Sequence, residues 1–188
     1  MLLERADDGE VGQTLDFLVR ELSLKAGARV LDQCCGTGSL SVPLAQRGFN
    51  VVAVDQADAY VQRGRTRANA ARVNVEWHTA DAFTFVATPP CDAVFNWWTS
   101  FGYADDDAGN QRMLQRAFES LVPGGAFALD VPNLPGVLRH FQPGVVTHRE
   151  TPQGRVMLVR ESRFDVLTAV MHKTWTYVLP SGLSLIHI

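Results

Sequence analysis

Cysteine is scarce in this chain, and the few present lack the pairings that cysteine chemistry uses. Cys34, Cys35 and Cys91 are an odd number in 188 residues, which argues against a disulfide framework. There is no C-x-x-C redox pair and no paired Cys or His spacing of the kind a four-ligand zinc site needs. His148, His172 and His187 show no ligand-like spacing either, so no metal is expected. An excess of positive charge is also missing. Lys and Arg number 17 against 20 Asp and Glu, a formal net charge of −3. A nucleic-acid partner, which needs a basic face to neutralise phosphates, is therefore not expected. The basic stretch Arg63-Gly64-Arg65-Thr66-Arg67 sits in a helical pattern and reads as a solvated helix face. No apolar run approaches the ~20 residues of a spanning helix. The opening "MLLERADDGE" lacks the apolar run of a signal peptide. The expectation is a cytoplasmic protein with no membrane partner.

What is present is a strand–helix alternation. Val11, Leu15, Leu18, Val19 and Leu22 fall at helical spacing. "ARVLDQC", "NVVAVD", "NVEWHT", "CDAVFNWW" and "GGAFALDV" read as five short buried strands, the last after the turn Pro123-Gly124-Gly125. Helices are expected over 39–47, 57–72 and 110–121. This pattern predicts an α/β, Rossmann-like, doubly wound and mainly parallel sheet with helices on both faces. In such sheets a ligand sits beyond the carboxyl ends of the strands. Asp32, Asp55, Asp81 and Asn96 fall at those ends.

The pattern changes after Val131, where Pro132, Pro135 and Pro143 break the chain. "RVMLVRESRFDV" and "AVMHKTWTYVL" read as a C-terminal antiparallel β-hairpin, a lid or a subunit contact in a homodimer. Met171, Lys173, Trp175, Tyr177 and Leu179 should share one of its faces. The expected organisation is a core over 1–140, appended strands over 141–182, and a tail over 183–188. That tail, "LSLIHI", reads either as the translation of a sequencing adapter or as an ordinary apolar strand.

The chemistry concentrates between Val30 and Gly48. A strand ends in Asp32, a tight turn follows, and a helix begins near Ser39. Gly36 and Gly38 let the backbone turn sharply and approach a ligand. The free N–H groups of the following helix suit an anionic or carboxylate-bearing cofactor. Asp55 lies one helix and one strand later, where a carboxylate accepts hydrogen bonds from both ribose hydroxyls of an adenosine. The same residue also suits a helix N-cap, and the two roles are compatible. In Asp81-Ala82-Phe83 the acid is placed to reach an adenine amine, with Phe83 flanking the ring.

Together these segments resemble the class I S-adenosylmethionine-dependent methyltransferases. "VLDQCCGTGSLSVPLAQRGFNVVAVDQADAYVQRGR" is similar to their first and second cofactor motifs, and "HTADAF" to the adenine-contact loop. "CDAVFNWWTSFGYADDD" and "LVPGGAFALDVPN" resemble the fourth and fifth strand regions. "TSFGY" and "DVPN" are similar to a bacterial subgroup acting on small molecules. The resemblance implies S-adenosyl-L-methionine as cofactor, with Asp32 near the methionine amino group and Gly36 and Gly38 under methionine and ribose. It implies Asp55 on the ribose hydroxyls and Gln56 beside the adenine. Asp81 and Ala82 would meet adenine N6 and N1, with Asn96 and the backbone of Trp97 closing the methionine side. Cys34 stands where the family pattern has its first glycine, which requires that Cys34 keep a negative φ. Cys34 and Cys35 then read as small buried side chains supporting the turn.

Methyl transfer from a sulfonium is an in-line displacement in which the protein mostly orients the acceptor and excludes water. Tyr103 and His140 are the candidate bases. Trp97-Trp98 reads either as an acceptor-pocket wall or as core packing. "FNWW" lacks the Asn/Asp-Pro-Pro-aromatic motif of many base- and glutamine-directed methyltransferases, which favours a small-molecule acceptor. The alternatives are a non-catalytic cofactor-binding protein or inactive fragment, and an NAD(P)-dependent oxidoreductase with Ser41 as its third small loop residue.

Overall fold

The computed structural model describes residues 8–187 apart from Thr99, Asp105, Gln153, Ala169 and Leu183. By its contacts the chain divides into two compact units, split after Pro132. Among the described residues, no helix is long and apolar enough to cross a membrane.

The first unit is a five-stranded parallel sheet. Its strands are β1 (Arg29–Gln33), β2 (Asn50–Asp55), β3 (Val75–Thr79), β4 (Cys91–Asn96) and β5 (Leu121–Leu129), in the order β3-β2-β1-β4-β5. Four helices alternate with them: α1 (Asp8–Glu21), α2 (Ser41–Gln46), α3 (Asp58–Ala71) and α4 (Asp107–Glu119). The two-residue period of the strands separates two cores. Val30, Val51, Ala53, Ala93 and Phe95 face Leu15, Leu18, Leu44, Val61 and Ala68 of α1, α2 and α3. Leu31, Val52, Val54 and Val94 point the other way, onto Ala117 of α4 and onto Ala87. Strands apolar on both sides are what a doubly covered parallel sheet requires. The order reverses direction at β1, between β2 and β4, so the carboxyl ends of β1 and β4 form the switch point.

Two boundaries differ from the sequence reading for local reasons. α4 starts three residues early because the Asp106 carboxylate accepts the Gly109 N–H at 2.6 Å and caps the helix. The expected turn at Pro123-Gly124-Gly125 lies inside β5, where the register with β4 shifts between Cys91 and Ala93. Gly125 is needed there, since a Cβ would come within 3.0 Å of the Asp92 carbonyl.

The second unit holds α5 (Leu134–Arg139) and an antiparallel sheet in the order β6-β7-β8-β9. Its strands are β6 (Gly144–Thr151), β7 (Gly154–Asp165), β8 (Val170–Val178) and β9 (Ser184–His187). β7 and β8 are the expected hairpin, now flanked by two further strands. Pro135 does not break the chain, because it sits in the first turn of α5, where no intrahelical N–H is required. Met171, Lys173, Trp175 and Tyr177 share a parity in the β7–β8 ladder, as expected, while Leu179 falls beyond β8. Ser184 to His187 pair with β8 in an antiparallel register.

Candidate functional site

The site is built at the carboxyl ends of β1, β2 and β4. The turn leaving β1 holds Cys34, Gly36 and Gly38 at φ of 64°, 56° and 71°. The expectation of a negative φ at Cys34 is thus overturned. The chain must leave β1 while the next amide, Cys35 N–H, still donates to the Val54 carbonyl of β2 at 2.9 Å. That ladder bond forces the reversal onto Cys34. A left-handed L-residue costs about 1–2 kcal/mol, which the surrounding contacts hold in place. Burial, then the charges of Asp55 and Asp32, push the Cys34 thiol up to about 12. Burial, then the same two charges, push Cys35 up as well. Burial thus favours the neutral thiol at both positions. Among the described residues, no group of three or more His, Cys, Asp or Glu gathers to hold a metal ion.

The two glycines do different work. A Cβ on Gly36 would meet nothing within 4 Å, so its Cα faces open space. Its N–H donates to Oδ2 of Asp55 at 2.8 Å. A Cβ on Gly38 would instead collide with the Trp77 indole, as would one on Gly64 of α3. Trp77 is buried between the turn and the helix, and the Cβ side of Gly38 is a packing surface rather than a ligand approach. The arginines of the basic stretch on α3 are exposed as expected, yet Gly64 among them is buried and two of the arginines are anchored. Arg65 Nη2 donates to the Trp77 carbonyl at 2.8 Å. Arg67 Nη1 reaches Ser39 Oγ at 3.2 Å and Thr37 Oγ1 at 3.3 Å, tying α3 to the turn.

Asp55 ends β2 half-buried. Besides the Gly36 N–H, it accepts the Ala57 N–H on Oδ1 at 2.9 Å. Each oxygen keeps further lone-pair capacity, so loop support and a ligand contact are compatible. Gln56 beside it is exposed. Next to it, the Ala80 N–H donates to the Asp55 carbonyl at 3.1 Å, which sets the Asp81-Ala82-Phe83 loop against the end of β2. Asp81 is exposed and accepts the Phe83 N–H at 2.8 Å; Ala82 is buried and Phe83 half-buried.

Behind the turn lies a buried polar layer. Asp32 is 3% exposed and accepts the Ser41 hydroxyl at 2.5 Å. Burial raises its carboxyl to about 7; the Ser41 bond opposes this and the Asp55 charge adds to it. Gln33 and Asn96, also buried, bond to one another at 3.2 Å. Asp130, just past β5, donates its N–H to the Asn96 carbonyl at 2.9 Å and accepts the Trp98 N–H at 3.0 Å. It holds Trp98 at φ 60°.

Trp97 and Trp98 are half-buried and pack on the α1 side of the core, Trp97 with its ring 5.8 Å from Phe17. Tyr103 is 70% exposed on the loop before α4. His140 caps α5 in the second unit and is exposed. The structure therefore brings Asp32, Cys34, Gly36, Asp55 and Asn96 together, with Asp81 and Ala82 adjoining. Gln33, Trp77 and Asp130 were not singled out from the sequence, and Ser41 and Arg67 were read only as a small loop residue and part of a solvated helix face. A glutamine at the end of a buried strand was the one signal available for Gln33, since buried amides are mostly hydrogen-bonded.

A family model described as "Methyltransferase domain" matches residues 30–125. The chain is 30% identical over 130 residues to glycine/sarcosine N-methyltransferase of Halorhodospira halochloris, covering 66% of this chain and 47% of that protein. It is 41% identical over 81 residues to 23S rRNA (uracil(1939)-C(5))-methyltransferase RlmD of Alkalilimnicola ehrlichii, covering 43% and 17%. A solved S-adenosylmethionine-dependent methyltransferase from Clostridium acetobutylicum superposes with TM-score 0.77 at 16% identity, covering 100% of this chain and 76% of that one. The chain spans about half the length of the first curated relatives it matches.

Proposed function

Because the chain belongs to the methyltransferase domain family, we propose that it binds S-adenosyl-L-methionine and methylates a small-molecule acceptor. The observation that carries the cofactor half is the Asp55–Gly36 pair: a carboxylate with spare lone pairs bonded to a turn whose Cα side is open. Asp55 would hold the ribose hydroxyls, with Gln56, Asp81 and Ala82 around the adenine. Asp32, Cys34, Asn96 and the backbone of Trp97 would surround the methionyl portion, and Gly36 and Gly38 would shape the turn beneath it. The fields of Asp55, Asp32 and Asp81 converge on Cys34, an anionic setting that suits a sulfonium and an ammonium.

When bound, the sulfonium supplies an activated methyl group to a nucleophile. The chain's own residues then need to orient the acceptor and exclude water. Tyr103 and His140 are the candidate bases. A small-molecule acceptor is supported by the amine-methylating relative, which matches 66% of this chain, whereas the match to the rRNA enzyme is confined to 17% of that protein.

Calorimetric titration with S-adenosylmethionine and S-adenosylhomocysteine, with NAD as control, tests the cofactor assignment. Micromolar binding of the first two, lost in Asp55→Ala, is the expected result. Binding of NAD alone would replace this reading with a dehydrogenase. Small amines are the acceptors to screen first.

A further inference from the structure

Three buried groups form a one-way hydrogen-bonded chain beneath the site. The Met113 carbonyl on α4 can only accept. Gln33 Nε2 donates to it at 3.2 Å, so the Gln33 Oε1 faces the other way. That oxygen accepts Asn96 Nδ2, also at 3.2 Å. The same Nδ2 lies 3.5 Å from Met113 Sδ and 3.7 Å from Cys34 Sγ, two weak acceptors. Each amide orientation is thus fixed by the group behind it, and the series begins at a backbone atom that cannot reverse. The group left over at the far end is Asn96 Oδ1, buried and without a partner among the described residues.

A buried glutamine carries a desolvation cost, met here by two bonds. An orphaned acceptor at a fully buried asparagine carries a further cost unless a donor meets it. Around Cys34, which touches this amide, the charges of Asp55, Asp32 and Asp81 all act with the same sign. A cationic donor answers both the empty acceptor and the surrounding field.

We propose that Gln33 is a positioning residue: anchored on the Met113 carbonyl, it turns Asn96 so that Oδ1 becomes the acceptor for the protonated α-amine of the bound cofactor. This rests on the methyl-transfer reading, which supplies a ligand with an ammonium group.

The test compares S-adenosylhomocysteine with 5′-methylthioadenosine, which keeps the nucleoside and thioether but lacks the amino-acid portion. Both are titrated calorimetrically into the full chain and into Gln33→Leu. The expected result is S-adenosylhomocysteine affinity falling about tenfold or more, as for a lost bond to a charged group. Methylthioadenosine affinity should change by less than about twofold, which also shows that the variant is folded. Asn96→Leu should show the same selective loss, and the double variant no more than either single change. Equal weakening of both ligands, or no change in either, overturns the role of Gln33 while leaving the cofactor assignment standing. Failure of the unaltered chain to bind either ligand overturns the cofactor assignment itself, and this inference with it. Should Gln33→Leu not fold, Gln33→Met, of matching length, carries the same comparison.

Discussion

The Asp55 carboxylate spans the gap between two chain segments: Oδ2 takes the Gly36 N–H at 2.8 Å while Oδ1 takes the Ala57 N–H at 2.9 Å. One side chain therefore fixes both the turn after β1 and the start of α3. Asp55→Asn replaces one acceptor oxygen by a donor, which must face one of those N–H groups. The variant should lose one loop tie and one ligand contact together. Cofactor affinity should fall about 10- to 100-fold, with a lower denaturation midpoint, both read on the same sample. A drop in affinity without any loss of stability would separate the two roles.

Trp77 sets the cost of a side chain at two glycines, and the sign of one change should depend on it. Ala at Gly64 gains about 1 kcal/mol of helix propensity, while forcing a methyl into the indole costs about 1–3 kcal/mol. Gly64→Ala should therefore destabilise the wild type and stabilise a Trp77→Leu background. Gly38→Ala should destabilise both, because its φ of 71° adds a left-handed penalty that removing the indole does not relieve. Urea titrations of the five variants decide it, and Gly64→Ala destabilising in the leucine background would contradict the packing argument.

Asp32 gives the site a pH dependence with a definite sign. Its carboxyl titrates near 7 in the fold against 3.8 when unfolded, chiefly because it is buried. The native state therefore holds a proton that the unfolded chain has released. The contribution to stability is full below pH ~4 and is lost as pH rises through ~7. A cationic ligand favours the ionised form, so cofactor affinity should rise between pH 6 and 8. Asp32→Asn should be the more stable protein at pH 8 and should flatten the affinity profile. Thermal melts and calorimetry at three pH values measure both.

Much of this was legible in the sequence, and the gaps have physical causes. The five parallel strands announced themselves because strands buried on both faces must be apolar throughout. The acids at their ends stood out against that background. β6 was not legible, since "GVVTHRET" is exposed at most of its positions and takes its alternation from pairing with β7 rather than from apolar residues. The packing of Trp77 against Gly38 was not legible, because Trp77 lies on another strand and only tertiary structure brings the two together. The Gln33–Asn96 pair is separated by 63 residues and has no local signature.

Cys34 tests whether the left-handed turn or the side chain matters more. Relief of the left-handed penalty favours glycine by about 1–2 kcal/mol. Against that stand about 0.5–1 kcal/mol of extra unfolded-state freedom and the loss of the Sγ contact with Asn96. These offset one another, so Cys34→Gly should change stability by less than about 1 kcal/mol and leave cofactor binding intact. Cys34→Val adds a β-branch where φ is 64° and cannot relieve it. It should destabilise by about 2 kcal/mol or more and weaken the cofactor, because the turn carrying the Gly36 N–H must shift. Paired urea titrations and calorimetry measure this. Equal tolerance of valine and glycine would mean that the turn accommodates a β-branched residue at this φ, and that Cys34 is not what fixes its shape.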